Sequence, residues 1–352
     1  MTSPIKTADA LEHGAPATGR KVSPTPLGFG GAAIGNLYRP VSEGAAMAAV
    51  EMAWAGGVRY FDTAPHYGFG LSETRLGAAL RQLDPRGEAV VSTKVGRLLA
   101  PAPEAARERH GFVDAAAFEP VFDYSYDGVL RSFEDSLKRL GRDRVDMLFA
   151  HDLGEATHGP AHASRWNEFI AGGYRALRRL RDEGAVGAIG LGVNEWQVCE
   201  QAMAAAEFDV FLLAGRYTLL EQTALTSFLP ECARRSVSVI IGGPFNSGGL
   251  ACATPSEAHY DYASPPDWVT DKVAALRAIC AEWQVELPAA ALQFPLAHPQ
   301  VISVIPGVAD ADEAEIASQR MVAQIPPGFW ADLIARGLVD PDAPVPEKEP
   351  AA

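Results

Sequence analysis

The chain has 352 residues, 48% hydrophobic and 21% charged, which is ordinary globular composition and ample for one large domain with a sizeable core. A net charge of −14 and a pI near 5.0 argue against a general nucleic-acid surface or an anionic-membrane surface. No apolar run is long enough to span a membrane, and no secretory h-region precedes Arg20, so residues 1–20 are expected to be a flexible leader of a cytoplasmic protein. The four cysteines (Cys199, Cys232, Cys252 and Cys280) lack metal-ligand spacing and are expected to be reduced thiols, with no bound metal.

Eight short apolar runs alternate with helical patterns. The runs are Leu27–Ala33, Val58–Ala64, Ala89–Val95, Val145–His151, Val186–Val193, Val210–Gly215, Val237–Gly243 and Val301–Gly307. Most are rich in Val, Ile, Leu or Phe without polar alternation, as strands buried on both faces are. The intervening helices are expected at Ser42–Ala55, Ser72–Leu83, Asp127–Leu140, Trp166–Glu183, Asn194–Ala206, Thr223–Arg235, Asp267–Gln284 and Asp310–Val322. Gly56-Gly57, Gly141 and Gly184 supply stops, and Asn194 stands at a cap position.

Eight strand–helix units predict a single (β/α)8 TIM barrel over residues 21–337. An open doubly wound sheet is the competing architecture, and it would more naturally carry GxGxxG after its first strand. Here Gly28, Gly30 and Gly35 are wrongly spaced for that and read as a tight glycine-rich turn. Three long loops leave the mouth at Gly96–Tyr126, Asp152–Ala163 and Asn246–Pro266, where function is commonly found. Residues 338–352, with Pro341, Pro344, Pro346 and Pro350, read as a solvated Pro-rich tail.

Asp62, Tyr67, Lys94 and His151 lie at or just past the ends of three strand-like runs, with Asp62 and Tyr67 sharing the first. A barrel gathers such residues at one mouth. An ammonium stabilises a phenolate, a carboxylate orients the ammonium, and an imidazole can steer a substrate oxygen to the phenol. Singly, Asp62 is as readily a helix cap and Tyr67 a packed aromatic. Lys94 ending an apolar strand is the hardest to explain blandly, since lysine is rarely buried unpaired. A metal-dependent hydrolase is a second reading, from His158 and His162 four apart, but Gly159-Pro160 intervenes.

The segments Val58-Arg59-Tyr60-Phe61-Asp62-Thr63-Ala64-Pro65-His66-Tyr67-Gly68 and Gly70-Leu71-Ser72-Glu73-Thr74-Arg75-Leu76-Gly77 resemble the signature of the aldo-keto reductases, and the likeness runs from about Pro26 to Val322. The resemblance implies Tyr67 as acid/base, Lys94 and Asp62 as its tuning pair, and His151 as the substrate-orienting residue. It implies a nicotinamide across the mouth. Asn194 would hold the carboxamide. Gly243, Pro244, Phe245, Asn246, Gly248 and Leu250 would wrap the pyrophosphate, and Ile305, Pro306 and Gly307 would line the last turn. Tyr217 is a candidate to stack on the nicotinamide, with a core aromatic as the alternative.

NADP-specific relatives commonly carry a basic residue just after the Pro-Gly. This chain has Val308-Ala309-Asp310-Ala311-Asp312-Glu313, whose three acids would repel a 2′-phosphate, so NAD is expected in preference to NADP. The same acids also suit a helix start. The stretches His66–Glu73, Ser92–Leu99 and Phe122–Asp127 most resemble the family's sugar-oxidising branch. The expected reaction is oxidation of an aldose of L-fucose, L-galactose or D-arabinose type to a lactone. Pyridoxal oxidation to 4-pyridoxolactone is the alternative, and a non-catalytic cofactor-binding subunit a further one. Tyr38, His66, Arg97, Phe122 and Tyr124 are the candidate substrate walls.

Overall fold

The computed structural model describes residues 22–252, 260 and 264–346. The expected leader, residues 253–259 and 261–263 of the third mouth loop, and residues 347–352 lie outside the described residues.

Eight parallel strands form one sheet in sequence order. They are β1 (Phe29–Gly30), β2 (Tyr60–Asp62), β3 (Val90–Val95), β4 (Val145–His151), β5 (Val186–Val193), β6 (Val210–Ala214), β7 (Ser238–Gly242) and β8 (Val301–Ile305). The first strand also meets the last. Parallel bridges join Leu27 to Val304 and Gly30 to Gly307, and Gly30 N–H donates to the Pro306 carbonyl at 2.9 Å, so the sheet closes into the expected barrel.

Two apolar layers result from the side-chain alternation of each strand. Tyr60, Met147, Phe149, Val210, Leu212, Ile240 and Ile305 fill the barrel interior, while the larger cluster lies between strands and helices. The glycines of the first run are not a turn. A side chain at Gly28 would lie 2.6 Å from Ile305 inside the barrel, and one at Gly30 would lie 2.7 Å from the Pro306 carbonyl oxygen. They are small because neighbouring strands approach closely, which also shortens β1 relative to expectation.

The return helices are α1 (Glu43–Ala55), α2 (Leu71–Leu83), α3 (Tyr126–Leu140), α4 (Tyr174–Asp182), α5 (Trp196–Ala205), α6 (Phe228–Arg235), α7 (Asp267–Trp283), α8 (Leu287–Gln293) and α9 (Ala311–Met321). Ser42, Ser125 and Asp310 cap α1, α3 and α9 through side-chain oxygens.

Five expectations are corrected. Ser72 lies inside α2, and its hydroxyl donates to the Gly31 carbonyl at 2.7 Å. The long helix expected over 166–183 widens into a π turn at Phe169–Gly173. There a side chain at Gly172 would meet the Tyr126 backbone at 2.7 Å, so small residues permit close packing. Asn194 does not cap α5, and its carbonyl instead accepts from Arg216 Nε. Helix α6 starts at Phe228, which places Pro230 in the first turn where its missing N–H costs nothing. The tail is not wholly solvated either: Val339 and Ala343 are buried in the main core.

The insert after β3 folds as two small antiparallel ladders, Arg97–Pro101 with Phe118–Phe122 and Glu108–Arg109 with Phe112–Val113.

Candidate active site

Period-two alternation carries Tyr60 and Asp62 of β2, Ser92 and Lys94 of β3, and Phe149 and His151 of β4 onto the barrel interior. The lower member of each pair joins or borders the apolar filling, and the upper member reaches the mouth. Gly192 of β5 makes room: a side chain there would sit 3.2 Å from Lys94 Cε. Tyr67 arrives from the turn after β2. That turn is pressed against the β1–α1 loop at Gly68, a left-handed residue (φ 64°) where a side chain would meet the Gly35 carbonyl oxygen at 2.3 Å.

The four residues form one network. Lys94 Nζ donates to Asp62 Oδ2 at 2.6 Å, to the Thr63 carbonyl at 3.0 Å and to the Tyr67 hydroxyl at 3.0 Å. Its three hydrogens are thereby committed. Because Lys94 donates to the phenol oxygen, the phenol's own proton is left to point into the mouth. Asp62 Oδ1 accepts from Ser92 at 2.6 Å, and Ser92 is also bonded to Tyr60 at 3.0 Å. Asp62 and Lys94 are each 1% exposed.

Burial sets the proton balance. It pushes the Tyr67 phenol above its ordinary value, and Lys94 offsets only part of this. The ammonium lowers that pKa as expected, but desolvation outweighs it. Tyr67 is thus a proton donor at neutral pH in the ligand-free protein. Burial pulls Lys94 down, but Asp62 and Tyr67 more than compensate and hold it charged. Burial, with Arg97 and Lys94 nearby, holds His151 well below the usual histidine range, so its imidazole is neutral. Burial and Arg97 likewise lower His66 to about 2.

His151 lies edge-on to Tyr67 with ring centroids 5.9 Å apart, and edge-on to His66 at the same separation. Beside it, Asp152 Oδ2 stands 3.5 Å from His151 Nε2 and is paired with Arg97. The nitrogens His66 Nδ1, His151 Nδ1 and Arg97 Nε are buried without a hydrogen-bond partner among the described residues.

Of the candidate walls, His66 and Arg97 join this group. Tyr124 does not line it: fully buried, its hydroxyl donates to the His151 carbonyl at 2.6 Å and props the end of β4. Phe122 stands behind Arg97, 4.6 Å from the guanidinium carbon, and Tyr38 is 47% exposed at the rim. Sequence reasoning missed Ser92, Asp152 and Phe112. The first two had a signal, since Ser92 precedes Lys94 by two and so shares its strand face, and Asp152 follows His151 directly.

Gly243, Pro244, Phe245, Asn246, Gly248 and Leu250 follow β7, where Asn246, Ser247 and Gly248 are all left-handed (φ 47°, 54° and 94°) and curl the backbone. Asn246 braces this loop, donating to the Gly215 carbonyl and accepting from Thr218. Space is open where a side chain at Gly243 would lie, and at Gly307 it would meet only Ala33, at 4.0 Å. Such a cradle fits a dinucleotide backbone. Tyr217 is fully buried, its ring against Phe294 and His298. His158 and His162 take separate partners, Tyr124 and the Leu153 carbonyl, and the metal-hydrolase reading has no support from their geometry.

The comparisons agree with this architecture. The Aldo/keto reductase family model matches residues 26–333. Pyridoxal 4-dehydrogenase of Microbacterium luteolum is 44% identical over 325 residues, 90% of this chain and 94% of that protein. D-threo-aldose 1-dehydrogenase of a Pseudomonas species is 41% identical over 320 residues, 89% and 94% of the two chains. The solved aldo-keto reductase of Bacillus halodurans, at 22% identity, superposes with a TM-score of 0.68 over 94% of this chain and 99% of that one, which bears on the fold alone. With a closed eight-stranded barrel and a family match spanning nearly all of it, the chain belongs to the aldo/keto reductase family of nicotinamide-dependent oxidoreductases.

Proposed function

We propose that the chain is an NAD-dependent dehydrogenase that oxidises the anomeric carbon of an aldose, of L-fucose, L-galactose or D-arabinose type, to a lactone. The observation that carries this is the Lys94–Tyr67 hydrogen bond beside a neutral His151 in a mouth with three unpartnered buried nitrogens. Tyr67, once deprotonated, takes the hemiacetal proton, and His151 holds the same oxygen. Lys94 stabilises the phenolate, and Asp62 and Thr63 keep Lys94 in place. When bound, the nicotinamide supplies the hydride acceptor. The β7 loop, Asn194 and the Ile305-Pro306-Gly307 turn are the residues to hold it.

Pyridoxal is the second reading. It also closes to a hemiacetal, and the aromatic rings around His66 suit a pyridine. The two relatives at 44% and 41% identity, named for pyridoxal and for an aldose, support either substrate. The intact network speaks against a role limited to binding cofactor.

The preference for NAD rests on the turn after β8. Glu313 accepts from Ala309 N–H at 2.8 Å and from Arg39 at 2.6 Å, and Arg39 also pairs with Asp310 at 3.3 Å. The sequence turn contains no base; the fold brings Arg39 to it from the β1–α1 loop, where two carboxylates already engage it.

The test is formation of reduced cofactor from NAD or NADP with L-fucose, L-galactose, D-arabinose and pyridoxal. Turnover of a sugar with NAD is expected, with Tyr67→Phe slower by about 100-fold or more. Turnover of pyridoxal alone would move the substrate, and equal rates in Tyr67→Phe would overturn the mechanism.

A further inference from the structure

The hydrogen-bond network does not stop at Lys94. Below it, β2 and β3 carry two hydroxyls into the barrel. Tyr60 stands two residues before Asp62, and Ser92 two before Lys94, so each pair shares the inner face of its strand. Both hydroxyl residues are fully buried, and Tyr60 belongs to the apolar filling with Met147, Phe149, Leu212, Ile240 and Ile305. Gly28 admits the Tyr60 ring, since a side chain there would lie 2.7 Å from a ring carbon. An apolar side chain would fill either place without desolvating a hydroxyl, so two hydroxyls in the barrel floor call for a reason.

Their donor order follows from counting protons. Asp62, ionised opposite Lys94, only accepts. Ser92 therefore gives its one hydrogen to Asp62 Oδ1 at 2.6 Å, and Tyr60 donates to Ser92 at 3.0 Å. Lys94 donates to the other carboxylate oxygen at 2.6 Å and to the Tyr67 hydroxyl at 3.0 Å. Asp62 is thus loaded from two sides, by two hydroxyls in series from the barrel floor and by one ammonium from the mouth.

Asp62 and a Tyr67 phenolate compete for Lys94, and their like charges repel. The charge-assisted bond from Ser92 draws carboxylate charge toward Oδ1, away from Lys94 and the mouth. Tyr60 polarises the Ser92 hydroxyl and strengthens that bond. More of the ammonium's field is then left for Tyr67.

We propose that Ser92 and Tyr60 are positioning residues that, acting through Asp62 and Lys94, make the Tyr67 proton easier to remove. The inference rests on the acid/base role proposed for Tyr67, not on the choice of substrate. The other charged or titratable groups around Tyr67 are His66 in its own turn, His151 at the end of β4, Asp152 after it, and Arg97 opposite Asp152. Removing the two hydroxyls alters none of them.

The test is the pH dependence of kcat for NAD-linked oxidation of L-fucose and of pyridoxal by Ser92→Ala and Tyr60→Phe, each of which removes a hydroxyl and little volume. Ser92→Ala is expected to move the profile about one pH unit to alkali, so that the rate at about pH 8 is about ten-fold lower and recovers as the pH rises. Tyr60→Phe, one bond further away, is expected to move it the same way by about half as much. KM should change by less than about three-fold in either variant. If Ser92→Ala does not fold, Tyr60→Phe decides alone. A lowered Tm with unmoved profiles would reduce both hydroxyls to packing, and an acid shift would reverse the argued direction; either result overturns the proposal. If the wild type oxidises neither an aldose nor pyridoxal, the function proposed above fails by itself. The Tyr67 titration is then read without substrate, from tyrosinate ultraviolet absorbance, as the difference between each protein and its Tyr67→Phe counterpart. The same alkaline shift supports the assignment, and coincident curves refute it.

Discussion

Asp62 carries two loads. One carboxylate oxygen holds Lys94 and the other holds Ser92, all inside the barrel. Burial raises its pKa, and Lys94 offsets this in part. Asp62→Asn keeps the shape but leaves a buried ammonium uncompensated. A loss of about 3–5 kcal/mol in urea unfolding is expected, and a loss below about 1 kcal/mol would show the pair to be well hydrated. His66 gives a pH signature. Below about pH 6.5 the unfolded chain takes up a proton that the folded chain refuses until about pH 2, so acid favours unfolding in that window. Stability should fall between pH 7 and pH 5, and less steeply in His66→Gln; identical slopes would place His66 in water. The four candidate residues were legible because each lies at or just past the end of an apolar run, a pattern visible in one dimension. Phe112 was not, because it sits in a Pro- and Ala-rich insert without periodicity, and its partners His66 and Tyr67 lie far back in the chain.

At the scale of elements, the proposed preference for NAD rests on the turn between β8 and α9. Asp310 caps α9 while Glu313 folds back on Ala309 N–H, so two of the three acids have structural tasks. Both the repulsion reading and the helix-start reading therefore describe the same residues. Glu313→Gln removes one of the charges that engage Arg39. The ratio of kcat/KM for NADP over NAD is expected to rise about ten-fold in this variant, and a ratio unchanged within two-fold would separate Arg39 from cofactor choice. Helix ends were readable where Ser, Asp or Gly stood at the boundary. They were misread at Asn194, whose carbonyl is engaged by Arg216, and at Thr223–Arg235, where Pro230 governs the start. Arg75 of α2 stands out only in three dimensions. It is 8% exposed and donates to the Ile34 and Val41 carbonyls and to Asn36 Oδ1, shaping the loop that meets the insert.

For the whole molecule, burial of Tyr67 sets the expected pH dependence of turnover. A phenol raised by desolvation gives up its proton reluctantly, so oxidative turnover should still be climbing at about pH 9, while reductive turnover should be flat at neutral pH and fall in alkali. A flat oxidative profile from about pH 7 would mean that the bound complex lowers the phenol far below its ligand-free value. The barrel itself was legible from eight strand–helix units. The tightness of its seam was not, because nothing in the first run announces that Gly28 and Gly30 thread between β2 and β8.

That seam has a consequence for how the protein is made. Asp62, Tyr67 and Lys94 leave the ribosome early, while Pro306, which accepts from Gly30, leaves near the end. At about 5–20 residues per second the interval is about 10–40 s. Throughout it the nascent sheet has two open edges, and the lysine and aspartate face water rather than each other's sealed company. The Asp62–Lys94–Tyr67 network of this chain is thus sealed last, by a strand that carries none of those three residues.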